Sequence, residues 1–527
     1  MKSLLPALCA AAFIQCAASS GHAAPGLPST NVAWLPAAAD ADVDRAFAQA
    51  RAQNKPVLLY WGATWCPPCN QLKATLFNRQ DFAAQSRNFV AVHVDGDRPG
   101  AQKLGQRFKV SGYPTVVLFK ADGSEITRLP GEVDPAQMMT VLQLGLAGGR
   151  PVKAVLADAL ASKALSANEW RMLAFYSWET DEQQIVAKAE VPATLARLAA
   201  ASPAGDAETT TRLWLKALAA SDDGKGLKAD AALRERVQRV LADPAVSRLQ
   251  MDVLAGGATD IVSTLEAEGS PGRAALLIQF DTMLKRLEAD ATLSRGDRLG
   301  TVIARIDLAR LGQAKDVLQP VLPEALRKDV REHVARLDRD ITDGYERQAV
   351  ITAGAYALGR AGLWADSDAL LKANLPRSHS PYYLMSQLGS NARKLGRHDE
   401  ALRWYEQAFD KSEGPATRLQ WGAGYLAALV DLAPQEAARI EKAASQLLTE
   451  AAKDNGAFEG RSARSLKRAG TKLAGWNADG KNAATLRRLQ TQLDGLCAKV
   501  DTADGQRAAC NALFKPAPKK DSVAAAA

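Results

Sequence analysis

Trp65-Cys66-Pro67-Pro68-Cys69 places two thiols with two residues between them, directly after an apolar run. That spacing suits thiol–disulfide exchange, because two cysteines so placed open and close a disulfide within one turn of chain. The preceding run, Val57-Leu58-Leu59-Tyr60-Trp61, reads as a buried parallel strand. The following stretch, Asn70 to Phe77, has apolar residues at 72, 76 and 77 and reads as a helix. Cys66 therefore falls at or next to a helix N-cap, where partial positive charge favours the thiolate. Cys66 is the expected attacking thiol, and Cys69, one turn deeper, the resolving one. Pro67 and Pro68 suit the first helical positions but carry no N–H. Thiolate stabilisation then leans on the Cys69 N–H and the helix dipole, so the Cys66 pKa is expected to be less depressed than in an oxidase-type site. Such a pair is also half of a zinc site, but no second pair follows and the nearest histidine is His93. A structural disulfide is the remaining alternative. No metal is expected, and no cofactor beyond the Cys66–Cys69 disulfide.

The elements that must position these residues lie in a chain of 527 residues, long enough for two or three domains. Apolar residues make up 47%, ample for packed cores. The 66 basic and 58 acidic residues leave +8 spread over the whole length. No arginine-rich block interleaves with aromatics, so nucleic acid is not an expected partner. Residues 1–24 read as a signal peptide: Lys2, an apolar run from Leu4 to Ala18, and small residues before a cut near Ala23 or Ala24. An exported, periplasmic protein is expected, with no transmembrane segment in its mature part. Four cysteines then remain, 66, 69, 497 and 510, an even count that suggests two pairs.

After an extended leader over 25–37, a helix is expected from Asp40 to Asn54, then the strand before Cys66. A further short helix near Gln80 to Ser86, a strand over 89–95 and a helix over 99–108 follow. Tyr113-Pro114 leads into a strand at Thr115–Phe119, with a hairpin to Glu125–Leu129 and a closing helix from Pro135 to Leu146. This order, with Trp-Cys-X-X-Cys at a strand-to-helix junction, resembles the thioredoxin fold over about residues 38–148, an α/β domain. The stretch from Cys69 to Phe82 is similar to the exported thioredoxin-like group that includes the C-terminal domain of the DsbD reductase. The resemblance implies that Pro114 is a cis-proline beside the cysteines. It also implies that Trp65, Tyr113 and Pro114 form the substrate-binding wall, the residue before the proline pairing with substrate backbone. Two residues depart from the family. Tyr60 stands where thioredoxins bury an aspartate, and Ala91 where they carry a lysine, so the family's carboxylate–lysine proton relay is missing.

From 150 to 514 the texture becomes all-α, with alanine, leucine and charge at helical spacing. Over about 350–415 it carries a tetratricopeptide-like signal: Gly389, Gly396, Ala401, Tyr405 and Ala408, with Gly362 and Leu371 each 34 residues upstream of Gly396 and Tyr405. Trp170, Phe175, Tyr176 and Trp178 are expected to be core. Cys497 and Cys510 flank a turn between helical segments and are expected to form a structural disulfide. Residues 515–527 read as a disordered tail.

The sequence as a whole points to a thiol–disulfide oxidoreductase, by resemblance a protein-disulfide reductase. Its expected partners are protein thiols and disulfides, a membrane or soluble electron donor, and a protein bound by the helical domain. The competing reading is a helical adaptor whose thioredoxin-like domain is a docking module with weak redox activity.

Overall fold

Six consecutive buried residues, Val57–Gly62, form the central strand of the sheet, as expected of a strand covered on both faces. The computed structural model describes residues 31–110, 112–129, 134–178, 181, 185–221, 226–502 and 505–515. The expected signal peptide, residues 25–30 of the leader and the tail beyond 515 lie outside the described residues.

The N-terminal part runs β1 (Leu35–Ala37), α1 (Asp40–Gln53), β2 (Val57–Gly62), α2 (Pro67–Leu72), α3 (Gln80–Gln85), β3 (Val90–Asp95), α4 (Ala101–Arg107), β4 (Thr115–Phe119), β5 (Glu125–Leu129) and α5 (Pro135–Leu146). The sheet order is β1-β3-β2-β4-β5. β2 pairs in parallel with β3, Gly62 opposite Asp95, and antiparallel with β4, Trp61 opposite Thr115. The mixed sheet with helices on both faces is a thioredoxin-like α/β fold. Two boundaries differ from expectation. The leader ends in β1, an edge strand in parallel register with β3. The helix expected to run unbroken to Phe77 changes at Lys73 into a π-helical turn, Lys73–Phe77.

Alternation along β2 divides the core. Val57, Leu59 and Trp61 face α1 and α4 through Phe47, Leu104 and Phe108. Leu58 and Tyr60 face α2 and α5, and this second core includes Cys66 and Cys69. It does not stop at the domain edge. It continues through Val155, Leu173 and Phe175 to Tyr382 and Met385, more than 300 residues after β2. Trp170, Phe175, Tyr176 and Trp178 are buried in it, as core residues.

Beyond Val152 every described element is helical. Neighbouring helices pack on one another, for example Gly344–Arg360 on Trp364–Asn374 and Pro381–Lys394 on His398–Lys411. The turns joining these two pairs both use a glycine at positive φ, Gly362 and Gly396. A Cβ on Gly389 would lie 2.9 Å from the Tyr405 ring, which explains the small residue facing the large one. Among the described residues no helix is long and apolar enough to cross a membrane.

The helical region touches the thioredoxin-like domain on many sides. Gln137 Nε2 donates to the Leu249 carbonyl (2.7 Å), Gln71 Nε2 to Ser294 Oγ (2.8 Å) and the Gly100 N–H to Asp454 Oδ1 (2.9 Å). At the far end of the helices Cys497 and Cys510 are bonded to each other, Cα atoms 5.6 Å apart, inside a separate core. Replacing both with alanine is expected to lower the unfolding free energy of these C-terminal helices by roughly 3 kcal/mol, the chain-entropy value for so short a loop. Denaturant unfolding followed by helical circular dichroism checks this, and unchanged stability would contradict it.

Candidate active site

β2 ends at Gly62 and hands over to α2, whose N-cap is Cys66. Pro67 and Pro68 occupy the first two helical positions, where their fixed φ fits and no N–H is needed. Cys66 and Cys69 are bonded to each other. The Cys69 N–H points at Cys66 Sγ (3.2 Å), the one amide within the first turn that reaches it. Asn70, fully buried, ties the loop together: its Nδ2 donates to the carbonyls of Thr64 and Cys66, both at 2.8 Å. The Tyr113–Pro114 peptide is cis and precedes β4. Pro114 thus stands at the start of the strand beside β2, and the Tyr113 ring meets the Trp65 ring edge-on at 6.2 Å. Five of the residues singled out around the cysteines therefore converge, while Cys497 and Cys510 lie elsewhere.

Behind the cysteines the missing relay is replaced by aromatic packing. The Tyr60 ring stacks on His93 (4.9 Å, 15° between planes) and meets Phe77 and Trp34. The Tyr60 hydroxyl is buried without a hydrogen-bond partner, and burial raises its pKa further above the usual phenol value. Burial, aided by the positive charges of Lys73 and Arg98, lowers the His93 pKa to about 4. His93 is therefore neutral at physiological pH. Lys73, on the π-helical turn, is also held below the usual lysine pKa by burial, opposed by Asp95.

The front of the site is covered by the chain's own helices. Cys66 is 2% exposed and Cys69 fully buried. Trp65 lies against Tyr383 in a stack at 5.7 Å and meets Trp421 edge-on at 5.8 Å. Its indole Nε1 donates to Asp97 Oδ2 and to Thr417 Oγ1, each at 2.8 Å. Gln348 Nε2 donates to the Trp65 carbonyl (3.3 Å). The Arg461 guanidinium lies over both the Trp65 ring (5.1 Å) and the Tyr113 ring (4.9 Å), and pairs with Asp97. Burial raises the Asp97 pKa above the usual carboxylate value, with Arg461 and the Thr417 hydroxyl pulling it back. The Tyr113 hydroxyl is engaged by Gln102 Nε2 (2.7 Å). Gly414, at positive φ, passes so close that a Cβ there would lie 2.7 Å from Asp97 Cβ. In this conformation Tyr113, expected to meet substrate backbone, is instead enclosed by residues of the same chain.

On the side of the prolines a cavity of about 410 Å³ remains. It runs from Pro67, Pro68 and Gln71 to Ile303, Ala304 and Ala353 of the helical region, with Asp297 in its wall. The Asp297 carboxyl is pushed above its usual pKa by burial and accepts from Ser294 Oγ (2.7 Å). Arg461, Asp97, Thr417, Tyr383, Trp421 and Asn70 are absent from the sequence-based candidates. Only Asn70 carries a local clue, standing one helical turn after Cys66.

Residues 43–145 match a family model described as a thioredoxin-like domain. The chain is 30% identical over 125 residues to the thiol:disulfide interchange protein DsbD 2 of Pseudomonas aeruginosa, which is 23% of this chain and 21% of that protein. It is 35% identical over 98 residues to DsbD of Yersinia pestis, 18% of this chain and 16% of that one. The chain thus spans about a fifth of the length of the curated relatives it matches. Among solved structures, one titled DsbH oxidoreductase aligns with 25% of this chain and 96% of its own, at 19% identity and a TM-score of 0.21. A thioredoxin from Thermus thermophilus aligns with 21% of this chain and 83% of its own, at 30% identity and a TM-score of 0.18. The N-terminal part is a thioredoxin-like domain with homology to DsbD thiol:disulfide interchange proteins.

The neutral, half-buried His93 gives a pH test. Its folded pKa of about 4 lies below the ordinary 6.5, so the unfolded chain binds a proton that the folded chain refuses as pH falls through that interval. Its contribution to stability is constant above 6.5 and is progressively lost between 6.5 and 4. Denaturant melts at pH 7 and pH 4.5 are expected to show a smaller drop for His93→Phe than for the parent chain. Equal drops would place His93 outside this role.

Proposed function

We propose that the protein is an exported, periplasmic protein-disulfide reductase acting through Cys66 and Cys69. The observation that carries this reading is the paired thiols at the N-terminus of α2, in a domain homologous to thiol:disulfide interchange proteins. The Cys66 thiolate attacks one sulfur of a substrate disulfide. A mixed disulfide forms and the other substrate sulfur leaves as a thiolate that takes a proton. The Cys69 thiolate then attacks Cys66 Sγ, which re-forms the Cys66–Cys69 bond and releases the second substrate thiol. The substrate gains two electrons, and the oxidised pair must be restored by an external dithiol donor, membrane-bound or soluble.

The reducing direction is supported by the turn itself. Pro67 and Pro68 supply no N–H, so a single amide, that of Cys69, reaches Cys66 Sγ. A thiolate with little stabilisation makes the reduced state a good electron donor, whereas strong oxidants of this class stabilise their reduced form. The helical region is proposed to bind protein partners on surfaces other than the one it applies to the thioredoxin-like domain. The adaptor reading is favoured by one observation, the burial of Cys66.

The deciding experiment titrates the Cys66–Cys69 couple against dithiothreitol and follows insulin reduction. A potential near about −270 mV, with activity abolished in Cys66→Ser and a trapped mixed disulfide in Cys69→Ser, is expected of the reductase. A potential near about −120 mV would make it a disulfide donor instead. Insulin reduction that survives Cys66→Ser would assign the activity elsewhere.

A further inference from the structure

The same front that encloses Trp65 decides what can reach Cys66. Trp65 and Tyr113, the two aromatic side chains beside the disulfide, are pinned together by one residue from the far end of the chain. Arg461 covers both rings, pairs with Asp97, and is itself fixed by Gln420 Oε1 (2.7 Å from Nη1) and by its own N–H on Gln102 Oε1 (2.8 Å). Gln102 is in turn bonded to the Tyr113 hydroxyl. The guanidinium is thus held by Asp97 and Gln420 and the Arg461 backbone by Gln102, and it lies over both rings. Tyr383 and Trp421 complete the cover over Trp65. The opposite side is different. Pro68 is exposed, and the cavity of about 410 Å³ along Pro67 and Pro68 has room for a small molecule but not for a folded protein surface, with neither cysteine in its lining. The acidic residues in its wall are not a field of bare charge. Asp252 is paired with Arg212, Asp307 with Arg360, and the Asp297 carboxyl sits against Ser294.

Resting on the proposed exchange chemistry, we propose that Arg461 is a specificity-determining residue: it latches the helical region over Trp65 and Tyr113, so that protein disulfides are excluded until the latch opens, whereas small, uncharged disulfides need a smaller opening to reach Cys66. The bonds made and broken are those of ordinary exchange. Cys66 joins one sulfur of the small disulfide, the other leaves as a thiol, and Cys69 then displaces the first, oxidising the protein by two electrons. Only access differs between substrates. A substrate that needs the open form is slowed by the fraction of molecules that are open.

The full chain is pre-reduced with dithiothreitol, freed of it, and mixed in single-turnover experiments with 2-hydroxyethyl disulfide or with insulin. Alkylation and mass spectrometry follow the loss of thiols. The parent chain is expected to prefer the small disulfide, and Arg461→Ala to raise the insulin-to-small rate ratio by about tenfold or more, the effect of shifting the latch equilibrium by about 1.4 kcal/mol. Trp421→Ala, which loosens the same cover without removing a charge, is expected to move the ratio in the same direction. A merely structural role would change both rates together and leave the ratio where it was. A second measurement uses only the parent chain: reduced Cys66 is expected to react with iodoacetamide far faster than with a polymer-linked maleimide, relative to a free thiol. Unchanged ratios in both variants, or equal access for the two alkylating agents, overturn the latch while leaving the exchange reaction standing. Absence of exchange with either disulfide overturns both.

Discussion

Everything at the front of the site depends on a buried charge having its partner. Asp97 is 9% exposed and lies in the loop after β3, among aromatic rings and an indole N–H. A carboxylate in such surroundings is costly unless it is paired and hydrogen-bonded, and removing one partner of a buried pair typically costs about 3–5 kcal/mol. Its partner, Arg461, belongs to the helix Gly460–Trp476, and Thr417, whose hydroxyl also bonds it, to the helix Pro415–Leu432. The thioredoxin-like domain thus contains a group whose burial is tolerable only when the helical region is in place. The net worth of the pair is small, because desolvation offsets most of the attraction. What it supplies is registration: the helices must settle where the guanidinium reaches the carboxylate, and the rings of Tyr383 and Trp421 then fall on Trp65. Each of those aromatic contacts adds about 0.5–1.5 kcal/mol beyond area burial, so the packing holds what the ion pair aligns.

The rear of the site shows the opposite economy. Where the related fold places an ionisable pair for proton transfer, this chain has Tyr60 stacked on a neutral His93, closed in by Phe77 and Trp34. Tyr60 reaches over Gly62, where any Cβ would fall 2.4 Å from its hydroxyl. The glycine at the end of β2 is therefore the space the tyrosine needs. Tyr60 is buried here and His93, Phe77 and Trp34 half-buried, and the two titratable rings carry no charge near neutral pH. Removal of the Cys69 proton before it attacks Cys66 Sγ then falls to solvent or to the departing substrate thiolate.

What the sequence made legible follows the range of the forces involved. β4, β5 and α5 appear with the residues expected, because each is bounded by local chemistry: Pro114 before one, the turn at Gly123 between the two, and the Asp134 cap with Pro135 at the first helical position before the last. The cysteine pair and its strand-to-helix placement were legible for the same reason. The switch to a π-helical turn at Lys73 was not, since apolar residues at 72, 76 and 77 fit one face of either helix type. The cover over Trp65 left no trace at all. Thr417 and Arg461 lie 352 and 364 residues from their bonding partners, and an isolated threonine or arginine on an amphipathic helix looks like any other. The repeat spacing indicated paired helices, but nothing in a helical period tells which face meets the molecule's own N-terminal domain.

A helical region applied to a redox disulfide has a thermodynamic consequence as well as a steric one. The disulfide is neutral and loses nothing by being sealed in an apolar core, whereas a thiolate at Cys66 is disfavoured by the same burial. The closed arrangement therefore stabilises the oxidised pair relative to the reduced one. By linkage the effect is reciprocal: reduction of the pair weakens closure by the same free energy with which closure opposes reduction. A couple whose oxidised form is favoured is a stronger electron donor when reduced. The two prolines of the turn and the cover of helices thus act in the same direction on the chemistry, one by withholding amide N–H groups from Cys66 and the other by withholding water.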